Sequence, residues 1–192
     1  MDKNKVGFGL SELHVGTYEV DSKGDVTLGT PFKLPGAIKL SMEAEGEESV
    51  LYADNTKYWM SFTDNGLKGD LEVSRFPDEF KTQFLGFVVL ADGGLAAVKG
   101  AQRKPVYLAF QTQGDQQKRR GICYNVSLGA IDKEYKTIEK SIDPVTEKID
   151  IAIVGDNKTG ITVVGYTEGS AGYDTLFTSP PKPILPTSVP GA

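Results

Sequence analysis

The sequence predicts a mainly β protein: an antiparallel β-sandwich or barrel flanked by one short α-helix and carrying one long loop. Apolar and polar residues alternate with period two in several segments, which is typical of half-buried strands. Turn-forming Gly, Asp and Asn residues separate these segments as in consecutive hairpins, which pair antiparallel. Helical segments long enough for the crossovers of a parallel sheet are missing from the pattern.

The predicted strands share this alternation or form short apolar runs. In chain order they cover residues 13–20, 38–44, 67–73, 106–110, 122–128, 149–153 and 161–164. The last, 161–164, is a short apolar run and is predicted to be a fully buried strand. In the fifth, the apolar residues Ile122, Tyr124, Val126 and Leu128 are expected on one face, with Cys123 on the other.

Turn chemistry marks the boundaries between these strands. Asp64-Asn65-Gly66 supplies residues that accept positive φ, so a tight hairpin is expected there. Residues 21–25, 114–115 and 156–160 are predicted to be further turns.

The helix is predicted at residues 77–86. Pro77 suits the first helical position, where its missing N–H costs nothing, and Gly86 can take the left-handed conformation that ends a helix. Phe80 and Phe84 are four residues apart and so share a face. A helix this short is not stable alone in water. We therefore expect Phe80, Phe84 and Leu85 to pack on the sheet.

A polar, turn-rich excursion of some twenty residues, 45–66, contains unusually many aromatic residues. Loops of this length are uncommon inside a domain and are usually functional. One interpretation is an ordinary hairpin with a packed tryptophan; the other is an arm that anchors in a partner, because Tyr and Trp are frequent interface hot spots. The contact residues predicted for such an arm are Tyr52, Asp54, Asn55, Tyr58, Trp59, Asn65 and Gly66.

Composition argues against several classes of function. The 192 residues carry a net charge of −5, which does not suit a protein that grips DNA by its phosphates. One cysteine, Cys123, and one histidine, His14, leave no pattern for a zinc site, and no phosphate-binding loop or dinucleotide fingerprint is present. We predict no catalytic residues, no cofactor and no metal. The basic cluster 118–120 is either a solvated strand end or a contact for acidic groups of a neighbouring subunit.

Several segments together carry a family resemblance. These are YADN (52–55), the pair Tyr58-Trp59, NGLKGDLEV (65–73), FPDEFKTQFLG (76–86), and the segments 3–20, 35–48 and 141–151. In order and spacing they resemble the major tail proteins of long-tailed, non-contractile phages of Gram-positive bacteria. The resemblance covers most of residues 3–165. It divides the chain into a tail-tube domain, 1–178, and a Pro-rich extension, 179–192.

The resemblance implies a structural virion protein. Six copies would form a ring, and rings would stack into a tail tube through which DNA passes without specific binding. The long arm would reach neighbouring subunits. The architecture is also similar to that of the secreted tube protein of type VI secretion. Implied partners are further copies of the chain and the tape measure, tail terminator and distal tail proteins. Synthesis and assembly in the host cytoplasm, without membrane insertion, would follow.

Two alternatives come from other classes of protein. A glycan-binding β-sandwich module would use Tyr58 and Trp59 as platforms for sugar rings. A small β-fold enzyme would need His14 or Cys123 in a pocket beside carboxylates.

Overall fold

The computed structural model describes residues 8–113, 118–135, 137 and 144–185. Within them the elements are β1 (Phe8–Val20), β2 (Val26–Leu28), β3 (Phe32–Lys33), β4 (Ala37–Leu40), β5 (Glu43–Ala44), β6 (Glu48–Ala53), β7 (Thr56–Phe62), β8 (Leu67–Val73), α1 (Asp78–Phe84), β9 (Val88–Val89), β10 (Leu95–Ala96), β11 (Val106–Gln113), β12 (Arg120–Lys133), β13 (Glu147–Ile153), β14 (Val163–Tyr166) and α2 (Ala171–Thr175).

Most strands join one large antiparallel sheet with the order β2-β1-β11-β12-β13-β8-β4. Three more strands attach to it: β3 pairs with β1, β5 with β8, and β14 with β12. The predicted mainly β, antiparallel fold is thereby confirmed. Because β1 and β4 also approach each other although they are far apart in this order, the sheet curves around its core. Two hairpins, β6–β7 and β9–β10, form small sheets of their own.

The central strand β11 is buried on both faces. Val106 and Leu108 belong to the main core, whereas Tyr107 and Ala109 belong to a second core on the opposite face. The half-buried pattern predicted for residues 106–110 is therefore wrong. The small Ala109 and the amphipathic Tyr107 looked like solvent-facing positions, but Tyr107 is buried and its hydroxyl donates to the Gly29 carbonyl at 2.8 Å.

A β-bulge in β12 changes which residues face each core. Ile122 and Tyr124 pack in the second core, but Val126 packs in the main core, on the other face. The change occurs at Asn125, which has a φ of +52° and whose side-chain amide donates to the Gly155 carbonyl at 2.8 Å. The extra residue shifts the alternation by one position. The single apolar face predicted for residues 122–128 is wrong for this reason, while Cys123 does lie opposite Ile122 and Tyr124.

Two strands at the edges of the sheet differ from the prediction in their bounds and in their burial. The segment 38–44 divides into β4 and β5, and a register shift between Ala37 and Lys39 leaves Ile38 exposed while Ala37 packs on the core. The last strand, β14, begins at Val163 rather than at 161 and is half-buried, because it pairs only with β12 among the described strands.

The turns at 21–25 and 156–160 are present. The Asp21 carboxylate accepts the N–H groups of Lys23 and Asp25, both at 2.8 Å. In the second turn the buried Asp156 carboxylate accepts the Tyr18 hydroxyl at 2.6 Å and the Thr159 N–H at 2.7 Å. The turn predicted at 114–115 lies outside the described residues.

Helix α1 closes one side of the main core. Its Phe80, Phe84 and Leu85 side chains are buried, and the Phe80 and Phe84 rings lie 5.3 Å apart between centroids. Pro77 is the N-cap residue, with a ψ of 148°, rather than the first helical residue as predicted. Gly86 has a φ of +71° and so ends the helix in the left-handed conformation expected of it.

A buried ion pair joins this helix to the sheet. The Lys81 ammonium lies 3.2 Å from Asp78 and 3.8 Å from Glu147 on β13. Glu147 also accepts the Phe76 N–H at 2.7 Å and lies 3.2 Å from the Lys133 ammonium. Burial alone would raise the pKa of Glu147, but these hydrogen-bond and charge interactions outweigh it and lower the pKa below its usual value. Glu147 is therefore charged in the folded protein.

A second helix, α2, was not predicted from the sequence. It follows Ser170 and brings Tyr173 and Phe177 against Arg120, whose guanidinium carbon lies 3.9 Å and 4.6 Å from the two ring centroids. The Pro-rich segment begins on the same side of the sheet: the Pro181 carbonyl accepts the Tyr124 hydroxyl at 2.7 Å. The remainder of that segment, 186–192, lies outside the described residues.

We predict that Phe84→Ala destabilises the isolated chain by about 3–5 kcal/mol, because it leaves a cavity between helix and sheet. Thermal or urea unfolding of dilute, unassembled protein measures the loss. Gln83→Ala, one residue earlier on the exposed side, is the control and should change little. Equal stability of the two variants would show that this helix face does not hold the core together.

We predict that Glu147→Gln costs about 1.5–3 kcal/mol at neutral pH, since a charged hydrogen-bond acceptor is lost beside buried Lys81. A carboxylate with a lowered folded pKa contributes its full stability above its unfolded pKa, about 4.3, and loses it as the pH falls through the folded value. The difference from wild type should therefore shrink below about pH 4. Urea unfolding across pH measures this, with the exposed Glu19→Gln as control; a gap that is constant with pH would contradict it.

Candidate assembly surface

Residues 45–66, here called the arm, leave the sheet through a hydrogen-bonded root. The Glu45 N–H donates to the Gly66 carbonyl at 2.9 Å, and the Asn65 N–H donates to the Glu45 carbonyl at 2.8 Å. One step further out, the Thr63 N–H donates to the Glu47 carbonyl at 3.0 Å. Each leg continues a strand of the sheet, β5 on one side and β8 on the other. The arm is therefore rooted in the core sheet by backbone bonds.

Beyond the root the arm is a β-hairpin with its turn at Asp54-Asn55. Both residues have positive φ, 50° and 58°, as a two-residue hairpin turn of this kind requires. The hairpin turn predicted at Asp64-Asn65-Gly66 is thus wrong, because β7 pairs with β6 and not with β8. The Asn-Gly pair lies instead at the root, where the chain rejoins the sheet.

Gly66 allows the backbone at the root of the arm to approach β13 closely. Its φ is +94°, and a Cβ built on it would lie 2.3 Å from the Ile153 carbonyl oxygen on β13. Backbone, not a movable side chain, occupies that space. A side chain at this position would push the root of the arm away from β13.

The hairpin exposes large apolar side chains. Tyr52, Tyr58 and Trp59, predicted as contact residues, are each more than half exposed. Sequence analysis missed three further residues with the same property: Leu51, Met60 and Phe62. Their strand alternation was the available signal, but residues 45–66 were treated as a loop. Several large apolar side chains exposed on one hairpin are typical of an interaction site.

Cross-strand register divides these side chains between the two faces of the hairpin. Leu51 lies opposite Trp59 on one face, whereas Tyr52, Met60 and Phe62 share the other face, and a register shift leaves Tyr58 as the extra residue of a bulge. Within the described residues, neither β6 nor β7 pairs with a further strand. Both edges of the hairpin therefore keep unpaired N–H and C=O groups that can pair with another chain.

The arm is also acidic. It contains five carboxylates and one lysine, Lys57. Lys57 lies 3.5 Å from Glu48, and this is the one ion pair that the described residues of the arm make. The other carboxylates, Glu45 and Glu47 among them, add a negative potential to an apolar surface.

A second exposed apolar region follows helix α1. The β9–β10 hairpin and the loop after it expose Val88, Val89, Leu90 and Val98. A half-open groove of about 620 Å³ lies between this region and β12; we call it the basic groove. Its wall includes Leu85, Phe87, Leu95, Val98 and Ile131 and the charged residues Arg103, Asp132 and Lys133. Sequence analysis did not predict this region, although Asp92-Gly93-Gly94 is a recognisable turn between apolar residues.

The basic cluster 118–120 is engaged within the chain. Arg120 donates to the Gln111 side chain at 3.0 Å and to the Tyr173 carbonyl at 2.5 Å, besides its contacts with the two rings. Lys118 lies 3.7 Å from Glu168.

The residues considered for catalysis are held apart. His14 stacks on Phe177 at 4.6 Å, on the face of the second core. Cys123 is buried in the main core, where burial raises the pKa of its thiol to about 12. The His–Cys pair that an enzyme would need is not formed. No cluster of three metal-ligating side chains and no helix that could cross a membrane occurs in the described part of the chain.

Comparison with known proteins finds likeness only at the level of structure. Neither a family model nor a curated protein sequence matches the chain significantly. It is similar to a chain of the PVC sheath–tube complex, an extracellular contractile injection system in its extended state, with 9% identity, a TM-score of 0.40, and coverage of 85% of this chain and 93% of that one. It is also similar to the tube-terminating cap of the anti-feeding prophage, with 12% identity, a TM-score of 0.41, and coverage of 86% and 96%. Similarity at this level does not establish a function.

We predict that Gly66→Ala loosens the root of the arm. Alanine at positive φ costs about 1–2 kcal/mol, and the clash with the Ile153 carbonyl adds to this. Gly24→Ala is a matched control, because Gly24 also has positive φ, +81°, but has open space where a Cβ would go. Urea unfolding should show a larger loss for Gly66→Ala, and amide exchange should rise at 45–47 and 63–66. Equal effects of the two substitutions would contradict the proposed role of Gly66.

Proposed function

We propose that the protein is a structural component of a phage-like tail that assembles with copies of itself into the tail tube. The observation that carries the proposal is the arm: a hairpin bonded to the core sheet at its root but exposing six large apolar side chains beyond it. A chain that acted alone would gain nothing from this surface.

The energetics of the hairpin favour a partner. An isolated two-stranded hairpin is marginally stable in water, and β6–β7 has no third strand within the described residues to support it. Tyr and Trp bury large areas with few rotors to freeze, which makes them effective anchors in an interface. Burial of Tyr58 and Trp59 against a second chain would stabilise both the hairpin and the assembly.

The finer form of the proposal comes from the sequence resemblance over residues 3–165. Six copies form a ring, rings stack into a tube, and DNA passes through the lumen during ejection. The net charge of −5 per chain suits passage of DNA without adhesion, since like charges repel. In this proposal the tape measure, tail terminator and distal tail proteins meet the tube, the particle is the virion, and assembly takes place in the host cytoplasm.

The surroundings of the aromatic residues distinguish this proposal from sugar binding. Leu51, Met60 and Phe62 extend the exposed apolar surface beyond the two aromatic residues that a sugar platform would use. An apolar surface of this extent surrounded by polar residues is the composition of a protein interface.

We predict that Tyr58→Ala combined with Trp59→Ala prevents tube or ring formation and leaves the fold intact. Truncation of interface hot spots typically costs ~2 kcal/mol or more, and an assembly repeats that loss at every contact. Electron microscopy and analytical ultracentrifugation over a range of concentrations, with and without tail-initiating partners, measure assembly. Tyr135→Ala removes an aromatic residue that is outside the arm and even more exposed, and this variant should assemble normally.

Hydrogen exchange of the hairpin beyond the root, residues 48–62, gives an independent result. These amides should exchange fast in the monomer, where the two-stranded hairpin is marginally stable, and slowly in the assembly, where a neighbouring chain supports it. Equal protection in both states, or a wild-type protein that stays monomeric under every condition, would refute the proposal.

A further inference from the structure

The loop beside the basic groove has the charge that the arm lacks. Residues 97–104 contain Lys99, Arg103 and Lys104 and no carboxylate. Within the described residues none of these three cations takes part in an ion pair. Arg103 is held at the groove wall, where its guanidinium lies 3.5 Å from the Leu128 carbonyl. An acidic arm and a basic rim therefore occur on the same chain, and among the described residues no ion pair joins the three cations of the rim to the carboxylates of the arm.

The groove and the arm also match in polarity at their centres. The groove wall contains aliphatic residues and Phe87 beside the charged residues Arg103, Asp132 and Lys133, and the groove is half open, so a bulky apolar side chain can enter. The exposed Val88 and Val89 pair with Ala96 and Leu95 of the hairpin beside it. One face of the arm presents Tyr52, Met60 and Phe62. Apolar centres with rims of opposite charge are the composition of a specific protein interface.

The two surfaces lie at different positions along the sheet. The root of the arm contacts Ile153 at the end of β13, whereas the groove is lined by β12 residues that pair with Ile149 and Glu147. Four to six residues of strand separate them, which corresponds to roughly 13–20 Å. Contact between unlike patches of identical chains is heterologous, and repetition of such a contact produces rings or open stacks.

We propose that the arm of one copy docks in the basic groove of a second copy, with carboxylates of the arm facing Lys99, Arg103 and Lys104 and apolar arm residues filling the groove. This inference rests on the self-assembly proposed above and identifies the surface that receives the arm.

Charge reversal on each side tests the pairing. The arm variant carries Glu47→Lys and Glu48→Lys, and the groove variant carries Lys99→Glu and Lys104→Glu; all four side chains are exposed. The control, Lys23→Glu with Lys182→Glu, changes the net charge as much as the groove variant does, at exposed sites outside both surfaces. Circular dichroism and urea unfolding verify that every variant folds.

Each variant alone should raise the critical concentration for assembly at least about tenfold, because like charges then face each other. Mixing the two variants should restore assembly. In the mixture, the new lysines in the arm of the arm variant face the new glutamates in the groove of the groove variant. The arm of the groove variant and the groove of the arm variant are both wild type and attract each other as before. The control should assemble as wild type does. Added salt should weaken wild-type assembly, since it screens exposed charges.

The outcomes separate this inference from the proposed function. If wild type never assembles, the proposed function fails first. If wild type assembles but both reversed variants do so equally well, or if the mixture stays as impaired as its components, the arm binds elsewhere or the groove serves another partner, and the inference is overturned while self-assembly stands. Restoration on mixing, with impairment of each variant alone, supports docking between copies.

Discussion

The pairing of β11 with β12, buried on both faces, is the constraint on which the rest of the structure depends. Each of the two apolar faces has to be shielded from water by another part of the chain. Helix α1 covers one through Phe80 and Phe84, and the chain around α2 covers the other through Leu176 and the ring of Phe177. Elements of the same chain therefore cover both faces of this strand pair. Among the described residues, much of the exposed apolar surface lies in the two hairpins that are separate from the main sheet, so its use in association would not disturb the core.

The same pair of strands also determines where the arm begins. The bulge at Asn125 redirects β12, so that its first half pairs with β14 and its second half with β13. Strand β13 then supports β8, and the Ile153 carbonyl meets Gly66 at the root of the arm. A residue deep in the sheet thus positions a surface element through a series of backbone contacts. A rigid root matters for assembly, because an arm held at one angle loses less conformational entropy on docking than a flexible one.

The sequence predicted those features that depend on local pattern and missed those that depend on a single inserted residue or on tertiary contact. Period-two alternation located β1, β8, β12 and β13, and the Phe80–Phe84 spacing located α1. Alternation carries no sign of a bulge, so the faces of residues 122–128 were assigned wrongly past Asn125, and Ile38 was placed inside. Asn65-Gly66 looked like the hairpin turn because Asn-Gly is the stronger local signal, although Asp54-Asn55 fills that role. The basic groove joins segments far apart in sequence, and no local pattern reports it.

In the proposed docking, an acidic arm and a basic groove on one chain would provide specificity as well as attraction. Arm against arm would place carboxylates together, and groove against groove would place cations together, so the symmetric contacts that would end in a closed dimer are disfavoured. The unlike contact would leave one arm and one groove open after every addition, so growth would continue until a ring closes or a terminating partner occupies the last open surface. The net charge of −5 would act in the same direction by keeping free chains apart until an arm and a groove meet in register.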